Sequence, residues 1–354
     1  MITILAEPIK APYPLADDTG VGNLCMLPES FRPHDRTSWF SSMHHATGNK
    51  PASLNGAGPK MPARPDAVRI EMPLLPREVR IMNQILSEAP VDLTQLGRLA
   101  GGCSRLIERT LSLCHSSLFG MPQTISGLEH AVIIAGAETV RTLMLANALM
   151  DYARSQLCQE DFQVYWWHSM VVAQFSKRIA EWLGESQPEQ AYLAGILHDA
   201  GAVPLLAAVT AEATKGTRAL HTIGDAPGPQ RFRYGVDHTE TGRRLGTAWN
   251  FPYVLIETFS LHHMPCEHFS AHPLVRIVAV AEQIARLYGA SWEANNAEHE
   301  PDTQDRALRF LLDYIPTLTP KASIQLNAAL QADLEATQRK LEHSLGPLPA
   351  PIMP

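Results

Sequence analysis

The chain has 354 residues, enough for two or three domains of about 100–200 residues each. Apolar residues make up 45% of it and charged residues 18%, which excludes a wholly disordered, fibrous or collagen-like protein. Its 29 basic and 36 acidic residues give a net charge of −7. The chain therefore lacks the overall positive charge with which many proteins hold nucleic acid or an anionic membrane surface.

The cysteines and the apolar runs indicate the cellular compartment of the protein. The five cysteines include no C-x-x-C pair, which favours reduced thiols over a disulfide framework or a cysteine zinc site. The best apolar run, 200–209, is shorter than the roughly 18 residues of a membrane span and contains Pro204. Glu7 and Pro8 interrupt the N-terminal stretch where a secretory signal would continue. We therefore expect a cytoplasmic protein that does not enter a membrane.

The two ends of the chain differ from the rest in composition. Residues 1–69 contain nine prolines and five glycines and show no sustained helical or strand period, which predicts an irregular leader. Residues 347–354 contain four prolines and cannot continue a helix, so they are predicted to form a tail.

Between these ends, apolar residues recur at three- and four-residue steps, which predicts helices almost throughout. Alternating β-branched runs are nearly absent, so the predicted fold is all-α. The predicted helices are Arg77–Ser87, Leu93–Leu99, Ser104–Cys114, Leu128–Ala135, Ala137–Ser155, Phe162–Leu183, Glu189–Ala200, His238–Trp249, Tyr253–His262, Leu274–Tyr288, Thr303–Asp313 and Lys321–Ser344.

These helices suggest a small N-terminal helical subdomain at 70–157, a helical bundle at 158–290 and a C-terminal helical extension at 291–346. The longest interruption, 215–236, is rich in glycine and proline and is interpreted as a loop that covers a site. The last predicted helix has a broad apolar face, which predicts that it docks on the core or pairs with a partner. That face consists of Ile324, Leu326, Leu330, Leu334 and Leu341.

Residues 92–119 have a second interpretation, as a helix-turn-helix that reads DNA. Arg98, Arg105 and Arg109 would then face the nucleic acid. Against them stand Asp92 and Glu108, so the segment carries only a small positive charge. This balance argues against nucleic-acid binding and favours two scaffold helices.

Histidines and acids occupy positions that should face the interior of the bundle. His168 shares its helix face with apolar positions at steps of three and four, namely Val172, Phe175, Ile179 and Trp182. His238 is placed likewise with Gly242, Leu245 and Trp249, and Glu282 with Val275, Val278 and Ala285. The pairs His198–Asp199 and His262–His263 end two further helices. Seven polar side chains from five helices are therefore predicted to meet in one interior.

Such groups need partners, because an unsatisfied buried polar group costs about 1–3 kcal/mol. Five imidazoles and two carboxylates suit one or two ions of Fe, Mn, Zn or Ni, the second ion requiring Asp199 as a bridge. Two divalent ions would bring +4 against −2 from Asp199 and Glu282. The alternative is a metal-free network of histidine and carboxylate hydrogen bonds.

Several strings resemble the HD superfamily, and more closely its HDOD branch. They are WWHSM at 166–170, LAGILHDAG at 193–201, VDHTETG at 236–242 and LHH at 261–263. The first half agrees, since MPLLPREVRIMNQIL at 72–86 and the segment 110–145 are also similar to HDOD sequences. The resemblance spans about residues 70–290 and implies an HD-like helical bundle.

The resemblance also implies roles for individual residues. His168, His198, Asp199 and Glu282 match the set that holds one metal in HD phosphohydrolases, where the last ligand is usually Asp. His238, His262 and His263 match the extra histidines that hold a second ion in the HD-GYP relatives.

Two departures from the catalytic relatives point to regulation. Ala202 stands where they have a lysine, and the sequence after His263 has no GYP-type motif. The resemblance therefore implies a bacterial signal-transduction protein that senses a metal, a small nucleotide or a partner protein. The alternative is a metal-dependent phosphohydrolase with a His/Asp di-metal site. Arg243 and Arg244 are candidate phosphate contacts, although a solvated helix face explains them better.

Overall fold

The structure is a computed structural model. It covers residues 68–100, 104–114, 125, 127–185, 187–212, 226–263, 272–292 and 303–345. These residues form helices and no strand, so the predicted all-α fold is confirmed. All but two residues of the predicted leader, and the whole predicted tail, lie outside the described residues.

The described part of the chain contains fourteen helices, named here in chain order. They are α1 (Arg77–Ser87), α2 (Leu93–Ala100), α3 (Ser104–Cys114), α4 (Leu128–Ala135), α5 (Ala137–Gln156), α6 (Gln159–Leu183), α7 (Pro188–Leu197), α8 (Ala202–Glu212), α9 (Pro227–Tyr234), α10 (His238–Ala248), α11 (Tyr253–Leu261), α12 (Pro273–Leu287), α13 (Thr303–Tyr314) and α14 (Pro320–Leu345).

All twelve predicted helices are present, and two further helices were not predicted. Helix α8 is apolar on every side, so it has no polar face for a periodic pattern to reveal. Helix α9 lies inside the predicted loop 215–236, and that prediction is wrong for residues 227–234. A proline at the first position of α9 and Gly235, with a φ of 76°, bound this short helix. Residues 213–225 lie outside the described residues.

Helix α6 is the central element of the bundle. Helices α7, α12 and α14 pack along it. The Cys158 sulfur caps its first turn by accepting from the Asp161 amide, and Gly184 ends it with a φ of 73°. Val172, Phe175 and Ile179 are buried on the same stripe as His168, as the pattern predicts. Trp182 is 38% exposed, because the stripe reaches the edge of the bundle at the last turn of α6.

Helix α14 docks back on the bundle, one of the two outcomes that its apolar face predicts. Leu326, Leu330 and Leu341 are buried, and Arg178 of α6 donates two hydrogen bonds to the carboxylate of Asp333 at 2.8 and 2.9 Å. Ile324 is 58% exposed, so its assignment to the apolar face is wrong. Residues two apart on a helix point in nearly opposite directions, so Ile324 cannot share a face with Leu326.

A buried polar bridge joins the N-terminal helices to the bundle. Arg141 of α5 donates a 2.7 Å hydrogen bond to the Asn83 side chain of α1 and another to the Asn250 carbonyl. Asn83 in turn donates a 2.8 Å bond to the Trp249 carbonyl. Because Trp249 and Asn250 follow α10, this bridge holds the C-terminal end of α10 against α1 and α5.

Among the residues that the structure describes, one stretch, Pro188–Thr210, has the length and hydropathy of a membrane-spanning helix, but 78% of its apolar window is buried inside the protein. In the structure it consists of α7 and α8, separated by a turn at 198–201. This burial is typical of a core segment.

Close backbone contacts at glycines bring the helices of the bundle together. A Cβ atom on Gly195 of α7 would lie 2.7 Å from the Cα atom of Ala173 on α6, too close for any real side chain. A Cβ atom on Gly201 would overlap the backbone of Gly242 and the His238 carbonyl oxygen on α10. These glycines therefore allow α7 to approach α6, and the turn after α7 to approach α10.

We predict that Gly201→Ala lowers the free energy of unfolding by about 1–3 kcal/mol, because the added methyl group meets backbone atoms that cannot rotate away. The matched control is Gly228→Ala on α9, where an added Cβ has nothing within 4 Å. Urea denaturation with a chelator present measures both variants without any contribution from metal. Equal unfolding midpoints for the two variants would contradict this account of the contact.

Candidate metal centre

The structure brings together all seven side chains that the sequence places in one interior. They come from five segments: α6, the turn after α7, the start of α10, the turn after α11, and α12. Six of them are at most 2% exposed, and His263 is partly exposed. The six are His168, His198, Asp199, His238, His262 and Glu282.

The first group of these side chains lies around one oxygen of Asp199. Asp199 Oδ2 lies 3.1 Å from His168 Nε2 and 3.0 Å from His198 Nε2. Glu282 Oε2 lies 3.1 Å from His168 Nε2 and 3.4 Å from His198 Nε2. The two imidazole nitrogens are themselves 3.1 Å apart. Two carboxylates and two imidazoles thus face one small volume.

The second group lies around the other oxygen of Asp199. Asp199 Oδ1 is 3.2 Å from His262 Nε2 and 3.4 Å from His238 Nε2. His238 Nε2 is 3.2 Å from His262 Nε2 and 2.9 Å from His263 Nε2. Asp199 therefore stands between the two groups and presents one oxygen to each.

The opposite ring nitrogens show which tautomers are present. Nδ1 of His168 lies 2.6 Å from the Ala290 carbonyl oxygen, and Nδ1 of His198 lies 2.6 Å from that of Gly195. Nδ1 of His262 lies 3.0 Å from the Thr258 carbonyl oxygen. A carbonyl oxygen only accepts, so each Nδ1 must carry the proton. In the neutral rings, Nε2 therefore presents a lone pair to the centre, as it does in metal-binding histidines.

His238 is held by a residue that the sequence analysis missed. Gln230 of α9 is fully buried, and its Oε1 accepts from both the backbone N–H and the Nδ1–H of His238 at 2.8 Å. Because α9 was predicted as loop, nothing in the sequence pattern marked Gln230. Asp237 caps the N-terminus of α10, because its side chain accepts a hydrogen bond from the Glu240 amide at 2.9 Å. The helix therefore begins at His238, the residue that Gln230 contacts.

The electrostatics differ between the two groups. Burial opposes charge on His168 and His198, but the carboxylates of Asp199 and Glu282 outweigh it, raising the pKa of His168 well above its usual value and that of His198 to about 9. Burial likewise opposes ionisation of Asp199 and Glu282, but the imidazoles hold both pKa values well below the usual range. Without metal, protons on His168 and His198 can thus neutralise the first group.

In the second group, the pKa values of two histidines are lowered instead of raised. Burial lowers the pKa of His238 to about 4, and burial together with His262 and His238 lowers the pKa of His263 well below its usual value. Nδ1–H of His238 is taken by Gln230 and Nδ1–H of His262 by Thr258, so the neutral forms of these two rings present Nε2 lone pairs to each other at 3.2 Å. Such a contact is repulsive unless a cation lies between the nitrogens.

Two buried carboxylate oxygens support the same conclusion. Asp199 Oδ1 and Glu282 Oε2 have no hydrogen bond of acceptable geometry among the described residues, despite their short distances to imidazole nitrogens. The ligand atoms of Asp199, His238, His262 and His263 all lie within 4.8 Å of one another, as do those of His168, His198 and Asp199. The donor sets therefore fit metal ions, with histidine nitrogen and carboxylate oxygen as ligands.

Sequence and structure comparisons agree with this geometry. The profile of the HDOD domain matches residues 72–265, more than half of the chain. The chain belongs to the HDOD family. A search of curated proteins found no match. The predicted resemblance to HDOD proteins is thus confirmed.

Solved structures share the fold. An HDOD domain protein of unknown function from Geobacter sulfurreducens is 21% identical, with a TM-score of 0.51, and the match covers 77% of this chain and 93% of that one. A protein from Shewanella amazonensis SB2B, provisionally named a metal-dependent phosphohydrolase, is 15% identical with a TM-score of 0.50, covering 75% and 93% of the two chains. At these identities the similarity shows the fold alone.

Other residues of this HDOD protein stand outside the cluster. The guanidinium groups of Arg243 and Arg244 are about half exposed and bond the Glu240 carboxylate at 2.8 Å, so the structure does not bring them to the seven side chains. Ala202 is fully buried in the first turn of α8. Arg109, one of the three arginines in the DNA-binding interpretation, donates to both oxygens of Asp151 on α5.

We predict that Gln230→Ala weakens Zn²⁺ binding to this HDOD protein by about 10–100-fold, because His238 loses the partner that orients its ring. Competition with a chromogenic chelator measures the affinity. Gln84→Ala, an exposed change on α1, is the control and should leave the affinity unchanged. Equal affinities in both variants would show that Gln230 does not position a metal ligand.

Proposed function

We propose that this protein is a metal-binding regulatory protein of the HDOD family that binds two divalent ions. His168, His198, Asp199 and Glu282 would hold the first, and Asp199, His238, His262 and His263 the second. The convergence of Nε2 lone pairs from His238 and His262 beside Asp199 Oδ1 carries the proposal, because neutral rings that use their Nδ1–H groups for Gln230 and Thr258 have no ring proton left to place between these acceptors.

The ligand chemistry suits Fe, Mn, Zn or Ni, which bind imidazole nitrogen and carboxylate oxygen. Two divalent ions bound by this set would leave a net +2, after the charges of Asp199 and Glu282 are subtracted from +4. When bound, such ions attract anions and polarise oxygen ligands. The residues of the chain orient the ligands and exclude water, since six of the seven are at most 2% exposed.

A regulatory role without efficient turnover is supported by what surrounds the cluster. A phosphohydrolase needs cations that hold the substrate phosphate in place. Ala202 stands where the catalytic relatives have a lysine, and Glu240 neutralises Arg243 and Arg244 on the surface. We propose that binding of a metal, a nucleotide or a partner protein at the bundle is transmitted to other signalling proteins in the cytoplasm.

One observation favours the second candidate, a metal-dependent phosphohydrolase. Asp199 presents Oδ2 to the first group and Oδ1 to the second. A carboxylate between two metal sites is the arrangement that supports two-metal hydrolysis of phosphoesters. Activity assays must therefore accompany the metal analysis.

The proposal predicts close to two equivalents of transition metal in protein purified without chelator, measured by elemental analysis. Asp199→Asn should reduce the content well below one equivalent, because both groups lose a shared anion. His263→Ala should leave the first ion in place. Asp313→Asn, at an exposed position on α13, is the control. Folded wild-type protein that takes up no metal, even after dialysis against Mn²⁺, Fe²⁺ or Zn²⁺, would overturn the proposal.

The two candidate functions differ in turnover. We expect metal-loaded protein to hydrolyse bis(p-nitrophenyl) phosphate and p-nitrophenyl phosphate no faster than its Asp199→Asn variant does. Hydrolysis that requires metal and is lost in Asp199→Asn, but kept in Asp313→Asn, would establish the phosphohydrolase instead.

A further inference from the structure

A second site lies apart from the metal centre, between the N-terminal helices and the bundle. A cavity of about 280 Å³ opens between α3, α5, α6 and α7. Most of its lining is apolar, including Leu143, Ala146, Leu149 and Met150 of α5, Trp166 of α6 and Leu197 of α7. None of these residues belongs to the seven-residue cluster.

The size and lining of the cavity fit a small organic ligand. A cavity of about 150 Å³ lined by apolar side chains is large enough to bind benzene, so this one holds roughly two rings. Small-molecule sites combine a mainly apolar wall with a few polar groups that fix orientation. Here the polar groups are few, and two of them reach the surface: Arg109 is partly exposed and Arg154 is exposed.

The polar groups favour an anion. Arg109, Arg154 and Asn147 all line the cavity and offer N–H donors. The Arg154 guanidinium lies 5.3 Å from the centre of the Phe162 ring, a cation–π contact that restrains its position. Asp151 neutralises one of the two arginines through its bond to Arg109, so these three side chains together carry a net +1. The Asn147 amide is buried and makes one long bond, 3.4 Å, to the Thr110 hydroxyl.

We propose that this cavity binds a small apolar carboxylic acid, with its hydrocarbon part against α5 and α7 and its carboxylate at Arg154 and Arg109. The inference does not depend on metal binding. Its position has a direct structural consequence, because Leu197 in the wall immediately precedes His198 and Asp199. A molecule in the cavity therefore contacts the helix that supports the metal-bridging carboxylate.

The test uses the full chain, freed of metal with a chelator so that a carboxylate cannot bind through a metal ion. Octanoate and 1-naphthoate are titrated by calorimetry, with octan-1-ol and 1-naphthalenemethanol as neutral analogues of similar shape. We expect saturable 1:1 binding of at least one acid. Its neutral analogue should bind about tenfold more weakly, because it loses the charge-assisted bonds.

Variants test whether the acid binds in this cavity. Ala146→Phe fills the cavity and should abolish binding, and Arg154→Gln should weaken it about tenfold. Arg77→Gln, at an exposed position on α1, is the matched control for lost charge. If Ala146→Phe does not fold, as judged by circular dichroism, Arg109→Gln combined with Arg154→Gln replaces it. The inference is overturned if neither acid binds, if the neutral analogues bind equally well, or if these variants bind as the wild type does.

Discussion

The candidate centre depends on the hydrogen bonds that hold the far side of four of its five imidazole rings. Carbonyl oxygens of Ala290, Gly195 and Thr258 face Nδ1 of His168, His198 and His262. These bonds fix the orientation of each ring and place a proton on Nδ1, so that in the neutral ring Nε2 is directed inward with a lone pair. In the neutral rings, the imidazole nitrogens are therefore oriented as metal ligands before any metal binds.

Close packing of the helix backbones brings these ligand side chains together. Gly195 allows α7 to lie against α6, and Gly201 allows the turn that carries Asp199 to lie against α10. The bridge from Arg141 to Asn83 and Asn250 holds the other end of α10. The centre is thus built from contacts between helices rather than from one local motif, and small changes far from the ligands can alter its geometry.

Much of this arrangement follows from periodicity. The inward positions of His168, His238 and Glu282 were predicted from apolar steps of three and four residues, because a helix that buries one face carries every residue of that face inside. The same reasoning failed for Ile324, which was assigned to the apolar face of α14 although it lies two residues from Leu326. It also missed α8, whose apolar residues surround the helix and leave no contrast between faces.

What sequence could not supply is the set of acceptors behind the histidines. Every residue has a carbonyl oxygen, so nothing marks those of Ala290, Gly195 and Thr258 as acceptors before the chain is folded. Gln230 is a similar case, because it lies on a short helix that begins at a proline and ends at a glycine, both of which also indicate loops. The tautomers, and with them the argument for metal binding, therefore follow only from the folded structure.

The central claim is that neutral histidines present Nε2 to bound metal while Nδ1 keeps its proton. Two-bond ¹H–¹⁵N correlation spectra of the histidine rings, recorded for metal-free and Zn²⁺-loaded protein, test it most directly. The account predicts the Nδ1–H tautomer for His238 and His262 and a Zn²⁺-dependent shift of their Nε2 resonances. Rings that carry the proton on Nε2, or Nε2 resonances that Zn²⁺ leaves unchanged, would contradict it.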